Sequence, residues 1–440
     1  MNRNILLLSL ASCLCAANAQ DSMTSDSIAP WSYEKCVDYA YNHNISLRKK
    51  LLDKETDDAT LEASKAQWHP TLNFATSQGF TNYARPDELT DRNIYSGSYA
   101  LNASWTVFNG NIRRNQIKAD ELQQKIALLG IDDYQYTLQT EILSKYLNIL
   151  YAKEAIGIAK NNLEVSEYQL QRAKSLMESG KMSRVDYSQI ESQYHTDKYS
   201  LTSAESILAT SKMELKTLLE LNISTEFDIS NMDFDDDEVL AMLPSKSDVF
   251  TDACSWVPVL QQYRTASELS DYNIKIAKGG YYPQIALNAA VGSSNNSGAG
   301  KVGTQLLDRL NEQISLSVNV PILDNKKNKT AVTKAKINKL NADLDLESAT
   351  TTLSQTIESI YIEAQNAQSK YESCTEQVKS AQLSDDLVNE QFKLGLINTL
   401  DLLNAHNTLF SAKQELLQAK YMAILNIRLL DFYRTSQIEL

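Results

Sequence analysis

The feature that most constrains the fold is a helical pattern of unusual length that folds back once on itself. The pattern runs from about Asn111 to Ser179, breaks at Gly180, and continues from Ser183 to about Leu221. At 1.5 Å per residue the first arm spans roughly 100 Å, whereas helices in compact domains average about three turns. A chain with such a hairpin must pack against long helical neighbours rather than build one round core.

Apolar residues recur every seven positions along the first arm, which is the spacing of a coiled-coil seam. This seam consists of Ile142, Ile149, Ile156, Leu163, Leu170 and Met177. A companion seam three residues further on is mostly small, namely Ala152, Ala159, Ser166 and Ala173, with Lys145 as the exception. Small side chains let helix axes approach closely. The arm is therefore predicted to pack against other long helices.

The second half of the chain repeats the first in the same order and at a nearly constant offset. Trp68-His69-Pro70 ends a helical pattern that begins at Ser32, and Tyr281-Tyr282-Pro283 ends its counterpart. The seam recurs as Ile357, Ala364, Tyr371, Val378, Asp385 and Phe392, in which only Asp385 breaks the apolar pattern. We therefore predict a first structural repeat over 20–221 and a second over 248–440.

Segment 222–247, which is predicted to be an acidic linker or equatorial segment, joins the two repeats and contains an acidic run from Asp233 to Glu238. A run of like charges favours a solvated linker. Cation binding by Asp235, Asp236 and Asp237 is the alternative.

Each repeat also contains two stretches in which apolar and small polar residues alternate, which is the period of a β-strand. Leu72 and Phe74 share a face in the first stretch, and Leu316 and Val318 in the last. An outer-membrane barrel shows this alternation, with apolar residues towards lipid, and so does a half-buried soluble sheet. Aromatic residues near the strand ends favour the membrane, namely Trp68, Tyr95, Tyr99, Trp105, Tyr281 and Tyr282.

Basic residues open both long helices, at Arg113 and Arg114 and at Lys326 and Lys327. Positive charge at a helix N-terminus opposes the helix dipole. Contact with phosphates of the inner leaflet would compensate for this, and simple solvation of the charges is the alternative. Together with Trp68, Trp105, Tyr281 and Tyr282, these four residues form the predicted membrane interface.

Four strands are too few for a closed barrel, which needs about eight, and an open sheet edge does not occur in lipid. The chain is therefore predicted to associate with copies of itself. The predicted fold is α+β. Three chains would give four strands each to one β-barrel, and their long hairpins would form a coiled-coil α-barrel in continuation.

The N-terminus fits a secretory signal peptide over residues 1–19, with Arg3, an apolar run, and Ala17-Asn18-Ala19 as the cleavage site. The alternative is a lipoprotein signal that would leave Cys13 as the lipidated N-terminus. Both imply export. The net charge of −13, without a basic block, argues against nucleic-acid binding.

The remaining composition argues against catalysis. The four histidines show no metal-ligand spacing and are interpreted as surface or interface residues. Cys36, Cys254 and Cys374 do not form a disulfide pattern. No nucleophile and base, phosphate loop or cofactor motif occurs, so we predict neither an enzyme nor a metal or cofactor site.

The paired halves, the prolines before the strands, and the turn motifs together resemble TolC-type outer-membrane efflux channels. The turn motifs are Gly180…Asp186-Tyr187 and Phe392-Lys393-Leu394-Gly395…Leu400-Asp401-Leu402-Leu403-Asn404-Ala405. The resemblance covers essentially the whole mature chain. It implies a homotrimer in the outer membrane of a Gram-negative bacterium, with a periplasmic helical tunnel that docks to a periplasmic adaptor and an inner-membrane pump.

The resemblance also implies a gate at the tunnel tip. By motif position, Asp186 corresponds to a gate aspartate and Asp401 to an aspartate of the ring that narrows the entrance. Phe392 stands where the family has a gating tyrosine. The chain departs from the family at Ile397, in place of a gating arginine, and at Asn404, in place of a second ring aspartate.

The same turns also have a purely structural interpretation. Ser183 and Asn398 each precede an Asp at the third helical position, a variant of the capping box. Gly180 and Gly395 supply the left-handed residue that ends the incoming helix. Capping and gating are compatible, because capped acidic tips would form a ring of negative charge in a trimer.

The predicted function is the outer-membrane channel of a tripartite efflux or type I secretion system. Such a channel is a passive export duct, and its driving energy comes from a partner. A secreted or surface coiled-coil scaffold, such as an adhesin stalk without pore activity, is the alternative. A periplasmic adaptor would require lipoyl- or barrel-like β domains, and the sequence has none of their patterns.

Overall fold

The computed structural model describes residues 30–85, 91–297, 301–438 and Leu440. The predicted signal peptide over 1–19 and Cys13 lie outside the described residues. Within the described ranges the chain forms long helices and one antiparallel sheet. No helix in these ranges combines the length and the apolar composition that crossing a membrane requires.

The element order shows the duplication. The first repeat contains α1 (Tyr33–His43), α2 (Ile45–Ala66), β1 (Thr71–Asn82), β2 (Asn93–Asn109), α3 (Ile112–Glu178) and α4 (Arg184–Leu218). The connecting segment contains α5 (Asp236–Val239). The second repeat contains α6 (Lys246–Trp256), α7 (Pro258–Gly279), β3 (Gln284–Asn296), α8 (Val302–Asp308), β4 (Asn311–Asn319), α9 (Lys327–Lys393) and α10 (Thr399–Thr435). Apart from α8, which the sequence did not predict, the same order of elements occurs twice.

The two long helices dominate the molecule. Helices α3 and α9 contain 67 residues each, which corresponds to roughly 100 Å. Helices α2 and α4 pack along α3, α10 packs along α9, and α7 packs against both long helices. The small seam of α3 is closed against its neighbours, because Ala152, Ala159, Ser166 and Ala173 are at most 2% exposed. The predicted close approach of helix axes is confirmed.

The predicted helical pattern from Ser32 to Gln67 is confirmed, but it forms two helices that are separated at Asn44. Asn44 has extended backbone angles and ends α1, and its side chain accepts a hydrogen bond of 3.0 Å from Leu47 N at the start of α2. Val257 breaks the second repeat at the equivalent place, and Pro258 begins α7. The paired helices match in length, at 11 residues for α1 and α6 and 22 for α2 and α7.

The four strands form one antiparallel sheet in the order β1-β2-β3-β4. The apolar residues oppose one another across the strands, with Phe74 beside Leu101, Leu101 beside Val291, and Leu287 beside Leu316. Their common face is uncovered within the chain, since Phe74 is 65% and Leu316 64% exposed. The outer edges of β1 and β4 have no strand partner among the described residues.

The main hydrophobic core lies halfway along the long helices, and the connecting segment is part of it. Phe227, Ile229, Phe234 and Val239 are at most 8% exposed and pack with α1, α3 and α10. The prediction of a solvated linker over 222–247 is therefore wrong. The segment is amphipathic, and its apolar residues cover the middle of the helical hairpins.

The acidic run of this segment is engaged in contacts with α9 and α10. Asp233 pairs with Lys420 at 3.3 Å, and Glu238 pairs with Arg428 at 3.2 Å. Asp236 accepts a hydrogen bond of 2.6 Å from the Tyr371 hydroxyl. The alternative cation site at Asp235, Asp236 and Asp237 gains no support, because Asp235 caps α5 and Asp236 is bound by Tyr371. Among the described residues, no group of three acids, histidines or cysteines is arranged to hold a metal ion.

Candidate functional site at the hairpin tips

The two hairpin tips have the same backbone geometry. Gly180 and Gly395 adopt left-handed angles, with φ of +72° and +74°. The next residue of each turn donates back to the helix that ends there: Lys181 N donates to Leu176 O at 2.8 Å, and Leu396 N donates to Gln391 O at 3.0 Å. This is the Schellman arrangement, in which a left-handed residue satisfies the last carbonyls of a helix. The predicted structural role of both glycines is confirmed.

Each return helix begins with a side-chain cap. Ser183 Oγ accepts a hydrogen bond of 3.0 Å from Asp186 N, and Asn398 Oδ1 accepts one of 2.8 Å from Asp401 N. Ser183 Oγ also donates to Asp186 Oδ2 at 2.6 Å. Both caps satisfy an amide that has no partner within its helix. The capping interpretation of these two turns is confirmed, and the acids lie in the first helical turn, where the dipole favours negative charge.

The five predicted gate residues are distributed over the two tips. Asp186 is half-buried on α4, and Asp401 is exposed on α10. Asn404 is exposed one turn further along α10, and Phe392 and Ile397 are half-buried on either side of Gly395. No hydrogen bond or ion pair in the described part of the chain joins Asp186 to Asp401. Within one chain each aspartate therefore belongs to its own tip, and the predicted gate remains a prediction.

An amide pair that the sequence did not indicate links the two hairpins just above the tips. Gln193 Nε2 donates to Asn407 Oδ1 at 3.0 Å, and Asn407 Nδ2 donates to Gln193 Oε1 at 3.2 Å. The pair joins α4 to α10. Neither residue interrupts a heptad seam, so no local pattern distinguishes it from a solvated polar side chain.

At the other end of the long helices, the predicted interface aromatics lie near the ends of the sheet with their rings partly uncovered. Trp68, Trp105, Tyr281 and Tyr282 are between 38% and 55% exposed. Trp105 Nε1 donates to Trp68 O at 2.9 Å, which fixes the strand to the end of α2. Amphipathic rings of this kind suit the boundary between lipid and water.

The basic residues there differ among themselves, and Arg113 contradicts its predicted contact with lipid phosphate. Its guanidinium is buried, donates to Gln67 O at 2.8 Å and to Thr106 O at 2.9 Å, and stacks 3.6 Å from the Trp68 ring. These carbonyls are at the end of α2 and in β2, so Arg113 joins two elements of the chain. Arg114, Lys326 and Lys327 are exposed and remain candidates for the interface.

A protein-family model described as outer membrane efflux protein matches residues 37–220 and 252–428. These ranges include most of both repeats and leave out the connecting segment. The chain belongs to the outer membrane efflux protein family. It is therefore a protein of the outer membrane of Gram-negative bacteria, and its family consists of channels rather than enzymes.

Individual members of the efflux family are similar along most of the chain. Outer membrane protein TolC of Escherichia coli strain K12 is 26% identical over 87% of this chain and 78% of its own length. Outer membrane efflux protein BepC of Brucella suis is 22% identical, over 87% and 80%. The crystal structure of the outer membrane protein VceC from Vibrio cholerae superposes with a TM-score of 0.74 at 15% identity, over 92% of this chain and 95% of that one. The last similarity establishes the fold.

Proposed function

We propose that this efflux-family protein is the trimeric outer-membrane channel of a tripartite efflux or type I secretion system and acts as a passive export duct. The observation that carries this proposal is the sheet. Its apolar face is uncovered, with Ile314 80% and Leu72 68% exposed, and two edges are unpaired in the described chain. Lipid would cover the apolar face, and the strands of two further copies would pair with the two edges.

Three copies are the number that we propose, as the family resemblance implies. One chain supplies four strands, and about eight strands are the minimum for a barrel with a filled interior. Three copies would supply twelve, which leaves room for a lumen. Because β2 and β4 lead directly into α3 and α9, the same three copies would bring six long helices together below the sheet as a tunnel wall.

The mouth of the duct would lie at the tips. A trimer would bring three Asp186 and three Asp401 carboxylates to one end of the tunnel, with Asn404 and Phe392 nearby on each chain. Rings of acidic side chains favour cations in a pore. Without a gating arginine at Ile397, contacts between α4 and α10, such as the amide pair of Gln193 and Asn407, would hold the two hairpins together.

The duct is tested by pore formation. Purified protein added to planar bilayers should give discrete conductance steps, and the unheated protein should migrate as a trimer that heating converts to a monomer. A scaffold or adhesin stalk would remain outside the membrane fraction and would give no conductance. That result would refute the channel.

The acidic ring is tested by Asp401→Asn. Removal of one charge per chain should lower the ratio of cation to anion permeability and weaken block by multivalent cations, because the ring attracts cations. Asp252→Asn, at an exposed acid on α6 far from the tips, is the matched control and should change neither. If Asp401→Asn leaves the ion selectivity unchanged, the acidic ring is refuted and the role of Asp401 is confined to the capped start of α10.

The partners that we propose are a periplasmic adaptor and an inner-membrane pump. Lys181 and Lys393 are exposed at the two tips, where an adaptor that seals the mouth would touch the channel. A photo-crosslinker at either position should capture one protein encoded near the channel. A crosslinker at Lys278, at the far end of α7, should not.

A further inference from the structure

A layer of polar residues lies between the two hairpins, next to the amide pair, and all of them are buried except Asp385, which is partly buried. It contains His406 of α10, Asp385 of α9, Asp197 of α4, and Asn162 and Ser166 of α3. His406 is 4% and Asp197 2% exposed. The other three histidines, at 43, 69 and 195, are exposed. His406 is therefore an interface residue between the two hairpins, whereas the other three histidines lie at the surface.

The layer is short of hydrogen bonds. Neither ring nitrogen of His406 has a hydrogen-bond partner, and Nδ1 lies 3.7 Å from Asp385 Oδ1. Asp197 Oδ1 accepts a hydrogen bond of 2.9 Å from Gln193 Nε2, whereas Oδ2 has no partner. Buried polar groups without partners cost free energy. A positive charge on the histidine would give Asp197 and Asp385 a common partner.

Two acids lie near His406. Asp385 of α9 is 3.7 Å from its ring, and Asp197 of α4 interacts with its charge. The α3 residues beside Asp197 are the neutral Asn162 and Ser166. Burial raises the pKa of the Asp197 carboxyl, and hydrogen bonding and the charge of His406 act in the opposite direction. When neutral, the imidazole opposes neither negative charge, and Asp197 keeps the hydrogen bond from Gln193. When protonated, it lies between two negative charges on different hairpins.

The duplication did not preserve this chemistry. At the equivalent positions of the other repeat, Leu170 corresponds to Asp385, Ala412 to Asp197, and Glu191 to His406. Two seam positions that are apolar or small in one repeat, Leu170 and Ala412, are thus acidic at the equivalent places of the other. A polar layer in an apolar seam lowers stability and determines which helices pair and in which register. Because the repeats differ here, the layer fits a contact that is specific to this pair of hairpins.

We propose that His406 is a positioning residue whose protonation ties the hairpin α9/α10 to the hairpin α3/α4 near the tips, so that the two tips separate as pH rises. Histidine titrates between about pH 5 and 8. A proton on His406 pairs with carboxylates from both hairpins, so acidic conditions favour the tied state and alkaline conditions favour the separated one. With one proton involved, the ratio of tied to separated tips changes by at most about tenfold per pH unit.

The distance between the tips tests this proposal. Spin labels at Lys181 and Lys393 report one hairpin each, in a Cys254→Ser background because the other described cysteines, Cys36 and Cys374, are buried. Labelled protein is mixed with excess unlabelled protein before assembly, so that pairs within one chain dominate. We expect a short, narrow distance distribution at acidic pH and a longer, broader one at alkaline pH.

Three variants determine whether His406 causes the change. His406→Gln should show the alkaline distribution at every pH. His195→Gln, at an exposed histidine of α4 two residues from Asp197, should behave as the unmodified chain. The double variant Asp197→Asn with Asp385→Asn keeps His406 and removes both acids, and it should also lose the pH dependence. Equal helix content in all variants excludes misfolding as the cause.

A pH-dependent distance that persists in His406→Gln, or in the double variant, would overturn the proposal. A distance that is independent of pH in the unmodified chain would do the same. The measurement concerns the conformation of one chain and requires no pore. Only the consequence for the channel mouth rests on the proposed function, so the absence of conductance in bilayers would leave this result standing.

Discussion

The junctions between the sheet and the two long helices satisfy the same backbone groups with different side chains. In the first repeat, Arg113 Nη1 donates to Gln67 O, the carbonyl at the end of α2, at 2.8 Å. In the second, Asn328 Nδ2 donates to Gly280 O, at the end of α7, at 2.7 Å. The two donors occupy equivalent positions of the two repeats. Only the arginine reaches a further carbonyl and an aromatic ring.

The helix breaks show the same contrast. Asn44 separates α1 from α2 with its side chain, which accepts from Leu47 N and the Tyr134 hydroxyl and donates to Leu218 O. The second repeat separates α6 from α7 with the fixed backbone of Pro258. Proline at the first helical position requires no side-chain partner.

These differences show what the duplication has retained. Each repeat must end its helices at the same places, and each has kept the backbone hydrogen bonds that do so. The first repeat relies on single buried polar side chains that serve several partners. The second uses smaller groups that serve one partner or none. We therefore expect the first repeat to be the more sensitive to substitution.

The largest difference should appear at the junctions. Arg113→Met removes two charge-assisted hydrogen bonds and the stack on Trp68, and it should cost about 3 kcal/mol of folding free energy. Asn328→Ala removes one neutral hydrogen bond and should cost about 1 kcal/mol. Urea titration of detergent-solubilised protein measures both. Equal costs would show that the extra contacts of Arg113 contribute nothing.

The helix breaks should differ less. Asn44→Ala leaves the Leu47 amide and the Leu218 carbonyl without their partner and should destabilise the protein by about 2 kcal/mol. Alanine can adopt the backbone angles of Pro258, so Pro258→Ala should cost at most about 1 kcal/mol of folding free energy. The cost arises because the unfolded chain gains conformational entropy. The same titration compares them. A larger loss for Pro258→Ala would reverse the ranking of the two repeats.

Features with a regular period could be predicted from the sequence, because the residues that define each of them are close together in the chain. The heptad seam, the alternation of the strands and the constant offset between the repeats all reappear in the structure. The turns at Gly180 and Gly395 can be predicted equally well, since a glycine, a capping residue and an Asp lie within a few positions of one another in each.

The remaining features depend on partners that are distant in the sequence. The acidic run looked solvated because Lys420 and Arg428, which pair with Asp233 and Glu238, come almost 190 residues later. Asn44 looked like an ordinary polar position of a helix, because its partner Leu218 is 174 residues away. His406 carries a local signal, since Leu402, Leu403 and Leu409 place it on an apolar helical stripe.

The tips should show no difference between the repeats. Gly180→Ala and Gly395→Ala each force a side chain into left-handed angles, at about 1 kcal/mol. No heavy atom lies within 4 Å of an added Cβ at either position, so the backbone alone sets the cost. Hydrogen exchange of the turn amides should accelerate equally in both variants. Unequal acceleration would mean that one tip is packed against something that the other lacks.

The smallest effect should come from an exchange of the two caps. Ser183→Asn and Asn398→Ser replace one good capping residue by another, so each should change stability by less than about 0.5 kcal/mol. The exchange should still transfer one hydrogen bond from the first tip to the second. Only the serine cap donates to its aspartate, as Ser183 Oγ does to Asp186 Oδ2. Asn398→Ser should therefore restrain the Asp401 carboxylate, and Ser183→Asn should release that of Asp186. If the tips are equivalent apart from this bond, the side-chain order of the two aspartates, measured by NMR relaxation, will exchange between them. If each aspartate keeps its original side-chain order, the surrounding hairpin rather than the cap sets the difference between the tips.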